Sequence, residues 1–296
     1  MRILITGANG LLGQKLVNLL SSSEKDEVHA TGRGGNRNLP GPYTYHKVDL
    51  TEEGALHNLF EEIKPDGVIH TAAMTNVDAC ELDPNECHLQ NVAVVESIVR
   101  ACENFDVFLV HLSTDFIFDG ITGPYDEESS PNPLSVYGRS KLEAEEVVKA
   151  GRMKWAIART VLVYGQVHDM SRSNIVLWVK KSLEEGKSIK LITDQYRMPT
   201  FAEDLARGCA LLAQQQAQGV FNVSGQDYLN PYEMAIQVAD VFELDGTLIT
   251  PTDGTAFTQP AKRPPKTELI LDKARSIGYE PHSFSEGLQL LKAQLQ

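Results

Sequence analysis

Near its start the chain reads Arg2-Ile-Leu-Ile-Thr-Gly-Ala-Asn-Gly-Leu-Leu-Gly13. A short apolar run meets glycines at positions 7, 10 and 13, and Leu16 and Leu20 then continue at helical spacing. The order is strand, tight turn, amphipathic helix. Glycine permits the turn, lets a phosphate approach the backbone and packs helix against strand, while the helix N-terminus attracts an anion. The stretch predicts a dinucleotide-binding turn, with a merely structural turn as the alternative.

Outward from that turn the same rhythm repeats. Short β-branched runs at 3–6, 28–31, 43–48, 67–71, 108–113 and 156–160 alternate with helical stretches near 11–20, 53–62, 85–104 and 135–150. This alternation predicts an α/β fold with a doubly wound parallel sheet of the Rossmann type. Beyond Gly165 the rhythm loosens, and Pro231, Pro251, Pro260, Pro264 and Pro265 punctuate a mixed region. The expected division is a dinucleotide-binding domain over 1–165 and a smaller mixed α/β substrate-binding domain. The latter comes mainly from 166–296, with some segments returning to the Rossmann domain. The Pro-, Gly- and Ser-containing stretch 120–133 reads as a mobile loop over a site.

With 296 residues, 42% of them hydrophobic, the chain can bury a sizeable core. Its 27 basic and 40 acidic residues give a net charge of −13, which argues against a nucleic-acid partner and requires local groups for any anionic ligand. No apolar run of about 18 residues and no signal-like start appear, so a soluble cytoplasmic chain without a membrane partner is expected. Cys80, Cys87, Cys102 and Cys209 form no C-x-x-C pair, and reduced thiols are the expected state. His70 and His111 end buried runs without a ligand cluster beside them. They read as core histidines, and no metal is expected.

Tyr137-Gly-Arg-Ser-Lys141 places a tyrosine and a lysine on one helix face. The spacing is common by chance, but here it follows the 120–133 loop and a run ending Leu112-Ser113-Thr114-Asp115. Tyrosine, with a pKa of roughly 10, is a poor acid near neutrality unless a nearby ammonium such as Lys141 stabilises its phenolate. The expected reaction is hydride delivery from a nicotinamide to a carbonyl carbon. Tyr137 protonates the oxygen, Thr114 hydrogen-bonds to it, and Lys141 also holds the nicotinamide ribose. After the second predicted strand, Thr31-Gly32-Arg33 stands where an NAD site would present an acidic residue. Arg33 favours NADPH, with NADH as the alternative, unless it is a solvated loop charge.

The G-x-x-G-x-x-G spacing together with Tyr137 and Lys141 resembles the extended short-chain dehydrogenases. Over nearly its whole length the chain is similar to the dTDP-4-dehydrorhamnose reductase family. The matching segments are Thr71-Ala-Ala-Met-Thr-Asn-Val-Asp78, Ser113-Thr-Asp-Phe-Ile-Phe118, Asp194-Gln-Tyr-Arg-Met-Pro-Thr200 and Lys262-Arg263-Pro264. For the cofactor, the resemblance implies contacts from Gly7, Asn9, Gly10, Leu11, Leu12 and Gly13, from Asp49 and Leu50 beside the adenine, and from Thr71, Ala72, Ala73, Thr75 and Ser113 along its length. It also implies support from Asn91, for which an ordinary helix-surface asparagine is the alternative. For a nucleotide-sugar substrate it implies Thr75, Val77, Thr114, Asp115, Phe116, Tyr137 and Leu162. Arg263 would meet the diphosphate unless it is a structural ion pair. The implied activity is NADPH-dependent reduction of the C4 keto group of dTDP-4-dehydro-6-deoxy-L-mannose to dTDP-L-rhamnose, and a homodimer is compatible with it.

Departures from the family pattern bear on the substrate. The related 4,6-dehydratases need Thr-Asp-Glu, whereas this chain has Thr114-Asp115-Phe116. The 4-epimerases retain NAD, which fits Arg33 poorly, and they stay a minor alternative. Leu162 stands where the familiar reductases carry an aromatic residue, and Tyr196-Arg197-Met198 where they carry smaller ones, so a reshaped sugar pocket is expected. The regulatory β subunit of methionine adenosyltransferase also resembles these reductases and binds NADP while serving another enzyme. That partner-binding role is the second reading, against which Thr114, Tyr137 and Lys141 stand intact.

Overall fold

A computed structural model describes residues 1–23, 25–170, 173–256 and 259–296. Its centre is a parallel sheet of seven strands. In chain order the strands are β1 (Arg2–Thr6), β2 (Glu27–Gly32), β3 (Tyr43–Lys47), β4 (Gly67–His70), β5 (Phe108–Thr114), β6 (Trp155–Thr160), β7 (Val163–Tyr164), β8 (Ile189–Ile192), β9 (Thr200–Phe201), β10 (Gly219–Asn222) and β11 (Ile249–Thr252). The sheet runs β10-β6-β5-β4-β1-β2-β3. β1 lies between β4 and β2, so the strand order reverses there and leaves a crevice at its C-terminal end.

The helices are α1 (Leu11–Ser21), α2 (Ala55–Ile63), α3 (Val77–Leu82), α4 (Pro84–His88), α5 (Val94–Phe105), α6 (Val136–Ala150), α7 (Ile175–Glu184), α8 (Ala202–Gln215), α9 (Pro231–Phe242), α10 (Asp272–Ser276) and α11 (Phe284–Gln294). The helix expected over 85–104 is α4, a π-helical turn at Leu89–Ala93 and then α5.

Central strands buried on both faces read as continuous apolar runs. In β1, Ile3 and Ile5 pack with Leu16 and Leu20 of α1 and Leu205, Cys209 and Leu212 of α8. Leu4 faces the other way, with Leu59, Phe60, Ile98 and Val148 of α2, α5 and α6. A third core joins α7, α9 and α11 through Val176, Val179, Met234, Val238, Phe284 and Leu288. Beside it lies the two-stranded β8–β11 ladder.

One outer strand of the sheet comes from far along the chain. β10 pairs with β6 from Gly219↔Ala156 to Asn222↔Arg159, and α8 packs on α1. The 120–133 stretch, expected to be mobile, is instead tied down. Tyr125 N donates to Glu268 O at 2.7 Å, Ile270 N to Tyr125 O at 2.8 Å, and buried Arg159 to Glu127 O at 3.0 Å. No helix among the described residues is long and apolar enough to cross a membrane.

Candidate active site

The glycine turn separates what the fold requires from what a ligand requires. Gly7 has φ +67°, and a Cβ there would lie 2.6 Å from Ala72 N. A Cβ on Gly13 would lie 2.3 Å from Gly7 O. Both positions are closed by the protein's own backbone. Gly10 differs, because its Cβ would meet only Gly7 O at 3.2 Å. It is the N-cap of α1, without a side-chain cap and without an acidic residue in the first turn. The amides of Leu11, Leu12 and Gly13 begin this helix, and their position suits a pyrophosphate.

The other residues expected to hold a cofactor follow β2, β3 and β4. Asn9 braces the loop after β2, its Nδ2 donating to Tyr45 Oη at 2.9 Å and Gly35 O at 3.0 Å while its Oδ1 accepts from Arg37 N at 2.9 Å. Arg33 is exposed in that loop. Asp49 Oδ1 accepts from Thr51 N and Thr51 Oγ1. These bonds, with the Arg33 charge, hold its carboxyl below the usual carboxylate range. Leu50 is buried beside it, Thr71 Oγ1 donates to Thr6 O at 2.7 Å, and Ala72 and Ala73 continue from β4 past Gly7.

Asn91 is no surface residue. The π-helical turn carries it inward to 1% exposure. Its Oδ1 accepts from Met74 N at 2.8 Å, and its Nδ2 donates to Met74 O and Ser140 Oγ, each at 3.1 Å. It therefore ties the segment after β4 to α6.

Thr114, Tyr137 and Lys141, the residues expected to carry the chemistry, come from β5 and α6. Thr114 ends β5 and caps the turn Asp115–Ile117, its Oγ1 accepting from Phe116 N at 3.3 Å and donating to Asp115 Oδ1 at 3.1 Å. Ser113 is buried just before it. Ser135 caps α6 by accepting from Gly138 N. A Cβ at Gly138 would stand 2.3 Å from Phe116 O, so the missing side chain lets α6 press against the turn. The Phe116 and Tyr137 rings meet edge-on at 5.6 Å, and Val77, Met74, Cys80 and Cys87 complete the wall around Tyr137.

Lys141 is buried, with Nζ donating to Leu112 O at 2.6 Å and lying 3.3 Å from His111 Nε2. Burial lowers its pKa to about 8, against the opposing charge of Glu145. Burial likewise pushes the Tyr137 phenol well above its ordinary value, opposed by a hydrogen bond from Thr114 and reinforced by the Asp115 charge. Burial is the largest influence on the Tyr137 phenol here, and the Lys141 ammonium is held by the Leu112 carbonyl. His70 and His111 are core residues whose rings stack at 5.5 Å. Burial holds both below the usual histidine range, His70 at about 3.

On the substrate side, Thr75 is exposed and Val77 opens α3. Leu162 is 37% exposed with φ +38°, a left-handed conformation unfavourable for leucine. Arg263 does not offer an uncommitted cation to a diphosphate. Its guanidinium forks onto Asp78 at 2.8 and 3.1 Å, because the C-terminal segment crosses the first turn of α3. Arg197, read from sequence only as a bulky wall, is a buried cation 3.7 Å from Asp115. A basic residue beside Pro199-Thr200 was the one available signal. Among the described residues no group of three or more His, Cys, Asp or Glu side chains could hold a metal.

The model of the RmlD substrate binding domain matches residues 1–296. Methionine adenosyltransferase 2 subunit beta of Rattus norvegicus is 32% identical over 283 residues, covering 94% of this chain and 82% of that protein. The crystal structure of a dTDP-4-dehydrorhamnose reductase from Clostridium acetobutylicum is 30% identical, with a TM-score of 0.87 and all of both chains covered. That of Bacillus anthracis dTDP-4-dehydrorhamnose reductase in complex with NADP is 27% identical, with a TM-score of 0.87 over 100% of this chain and 99% of that one. The doubly wound sheet, the open glycine turn and the buried Thr114, Tyr137 and Lys141 are thus the features of a chain that belongs to the RmlD substrate binding domain family.

Proposed function

We propose that this chain, an NAD(P)-dependent oxidoreductase, uses NADPH to reduce the C4 keto group of dTDP-4-dehydro-6-deoxy-L-mannose to dTDP-L-rhamnose. The observation that carries the reading is the convergence of Thr114, Tyr137 and Lys141 at the junction of β5 and α6, packed against the segment that follows β4. Bound NADPH supplies the hydride. Tyr137 Oη gives its proton to the carbonyl oxygen, and the Thr114 hydroxyl, whose one hydrogen goes to Asp115 Oδ1 in this structure, turns that hydrogen to the carbonyl oxygen when it binds. Lys141, on the same helix face as Tyr137, holds the nicotinamide ribose. The Gly10 turn holds the pyrophosphate and Arg33 the 2′-phosphate of NADPH.

A second reading, a cofactor-binding regulatory subunit, is favoured by the 32% identity to methionine adenosyltransferase 2 subunit beta. One assay separates the two. Purified protein, NADPH and enzymatically generated keto sugar are mixed, and loss of reduced-nicotinamide absorbance is followed for wild type and Tyr137→Phe. Turnover by wild type that drops at least about 100-fold in the variant is expected. NADPH binding without turnover on any dTDP-keto sugar would transfer the case to the regulatory reading.

A further inference from the structure

Arg197 is 7% exposed, and its guanidinium donates to three backbone carbonyls and pairs with a carboxylate. Nη1 donates to Tyr196 O at 2.7 Å and Pro265 O at 3.2 Å, and Nη2 donates to Pro264 O at 2.5 Å. Nε lies 3.7 Å from Asp115 Oδ2, and the cation stands 5.8 Å over the Phe116 ring. The same carboxylate oxygen accepts from Thr267 Oγ1 at 2.5 Å, and Oδ1 accepts from Thr114 Oγ1. Asp115 is itself buried, and burial of a lone carboxylate would drive it towards the neutral form. Arg197 and Thr267 oppose that tendency. A buried guanidinium with this many partners has one geometry, and it joins three chain segments far apart in sequence.

We infer that Arg197 is a positioning residue for the reduction: through Asp115 it fixes the rotamer of the Thr114 hydroxyl, and through the Pro264 and Pro265 carbonyls it holds the 264–267 segment against the catalytic turn. A close approach on the other side supports the second half, since a Cβ at Gly120 would lie 2.8 Å from Lys266 N and 2.9 Å from Pro265 N. The segment is therefore gripped between Gly120 and Arg197. Asp115 bears on the reacting oxygen through Thr114, and Arg197 through Asp115. Their effect belongs in kcat, because they aim a hydroxyl that acts on the transition state.

The inference rests on the keto-sugar reductase reading, and a kinetic double-mutant cycle separates the two. Arg197→Met, Asp115→Asn, the double variant and Arg197→Lys are assayed with NADPH and dTDP-4-dehydro-6-deoxy-L-mannose, with NADPH affinity measured by fluorescence titration. Arg197→Met is expected to lower kcat roughly 10- to 100-fold, as loss of a preorganised polar contact does, with NADPH affinity within about twofold of wild type. Arg197→Lys, which keeps the charge but not the fork, should recover part of that loss. The double variant should be no slower than the slower single variant. Losses that multiply in the double variant, or a rise in KM with kcat intact, overturn the inference while the reductase reading stands. Should Arg197→Met not fold, Arg197→Lys and Asp115→Asn carry the test, and normal kcat in both overturns it. A wild-type protein that turns over no keto sugar overturns the reductase reading, and the inference falls with it.

Discussion

At the scale of single residues, Gly10 and Gly13 look alike in sequence and do different work. Gly13→Ala would drive a Cβ to 2.3 Å from Gly7 O, an overpacking that costs roughly 1–3 kcal/mol and lowers the melting temperature. Gly10→Ala meets a milder 3.2 Å contact with Gly7 O, so its melting temperature should fall less than that of Gly13→Ala while NADPH affinity falls at least about tenfold. Equal melting losses in the two variants would contradict this separation. Lys141 gives a pH test of burial. Its folded pKa is about 8, against an ordinary value of 10.5, so between those values the unfolded chain binds more protons than the folded one. Stability contributed by this site therefore rises with pH in that window and is lower below pH 8. Relative to Lys141→Met, wild type should gain about 2 kcal/mol in urea unfolding free energy between pH 7.5 and 9.5, and no gain would contradict the buried ammonium. The Tyr137 and Lys141 pairing was legible in the chain because helical spacing is local. The Arg263–Asp78 pair was not, since 185 residues separate the partners.

Among the elements, the first six strands and their crossover helices were readable because each carries its own period and is closed by the next turn. The π-helical turn at Leu89–Ala93 was not readable, since its sequence is compatible with one uninterrupted helix. Its consequence is large, because it carries Asn91 into contact with Met74 and Ser140. Asn91→Ala should cost about 1 kcal/mol through the part-buried Met74 groups and the buried Ser140 hydroxyl whose bonds it removes, and should weaken NADPH binding by loosening the segment after β4. Denaturant unfolding and NADPH titration on the same preparation check both effects. An Asn91→Ala protein as stable as wild type would show that the π turn carries no such tie. The firm placement of 120–133 was equally hidden, because the bonds that hold it come from 222 and 268–270.

For the molecule as a whole, the seven-stranded sheet draws six strands from residues 2–160 and its outer strand β10 from 219–222. β6 and β10 pair across a long excursion through β8 and α7, and no local pattern announces such a return. That excursion delivers Arg197 to Asp115, so the site is finished by the half of the chain whose rhythm was least regular. Hydride transfer to the C4 carbon of a nucleotide-linked sugar can be followed with NADPH deuterated at the transferable position of the nicotinamide, dTDP-4-dehydro-6-deoxy-L-mannose as acceptor, and NMR of the isolated product. Deuterium at C4 of the rhamnosyl ring, formed by wild type and not by Tyr137→Phe, is the predicted result. A sugar recovered without deuterium at C4, from protein that binds NADPH, would contradict it.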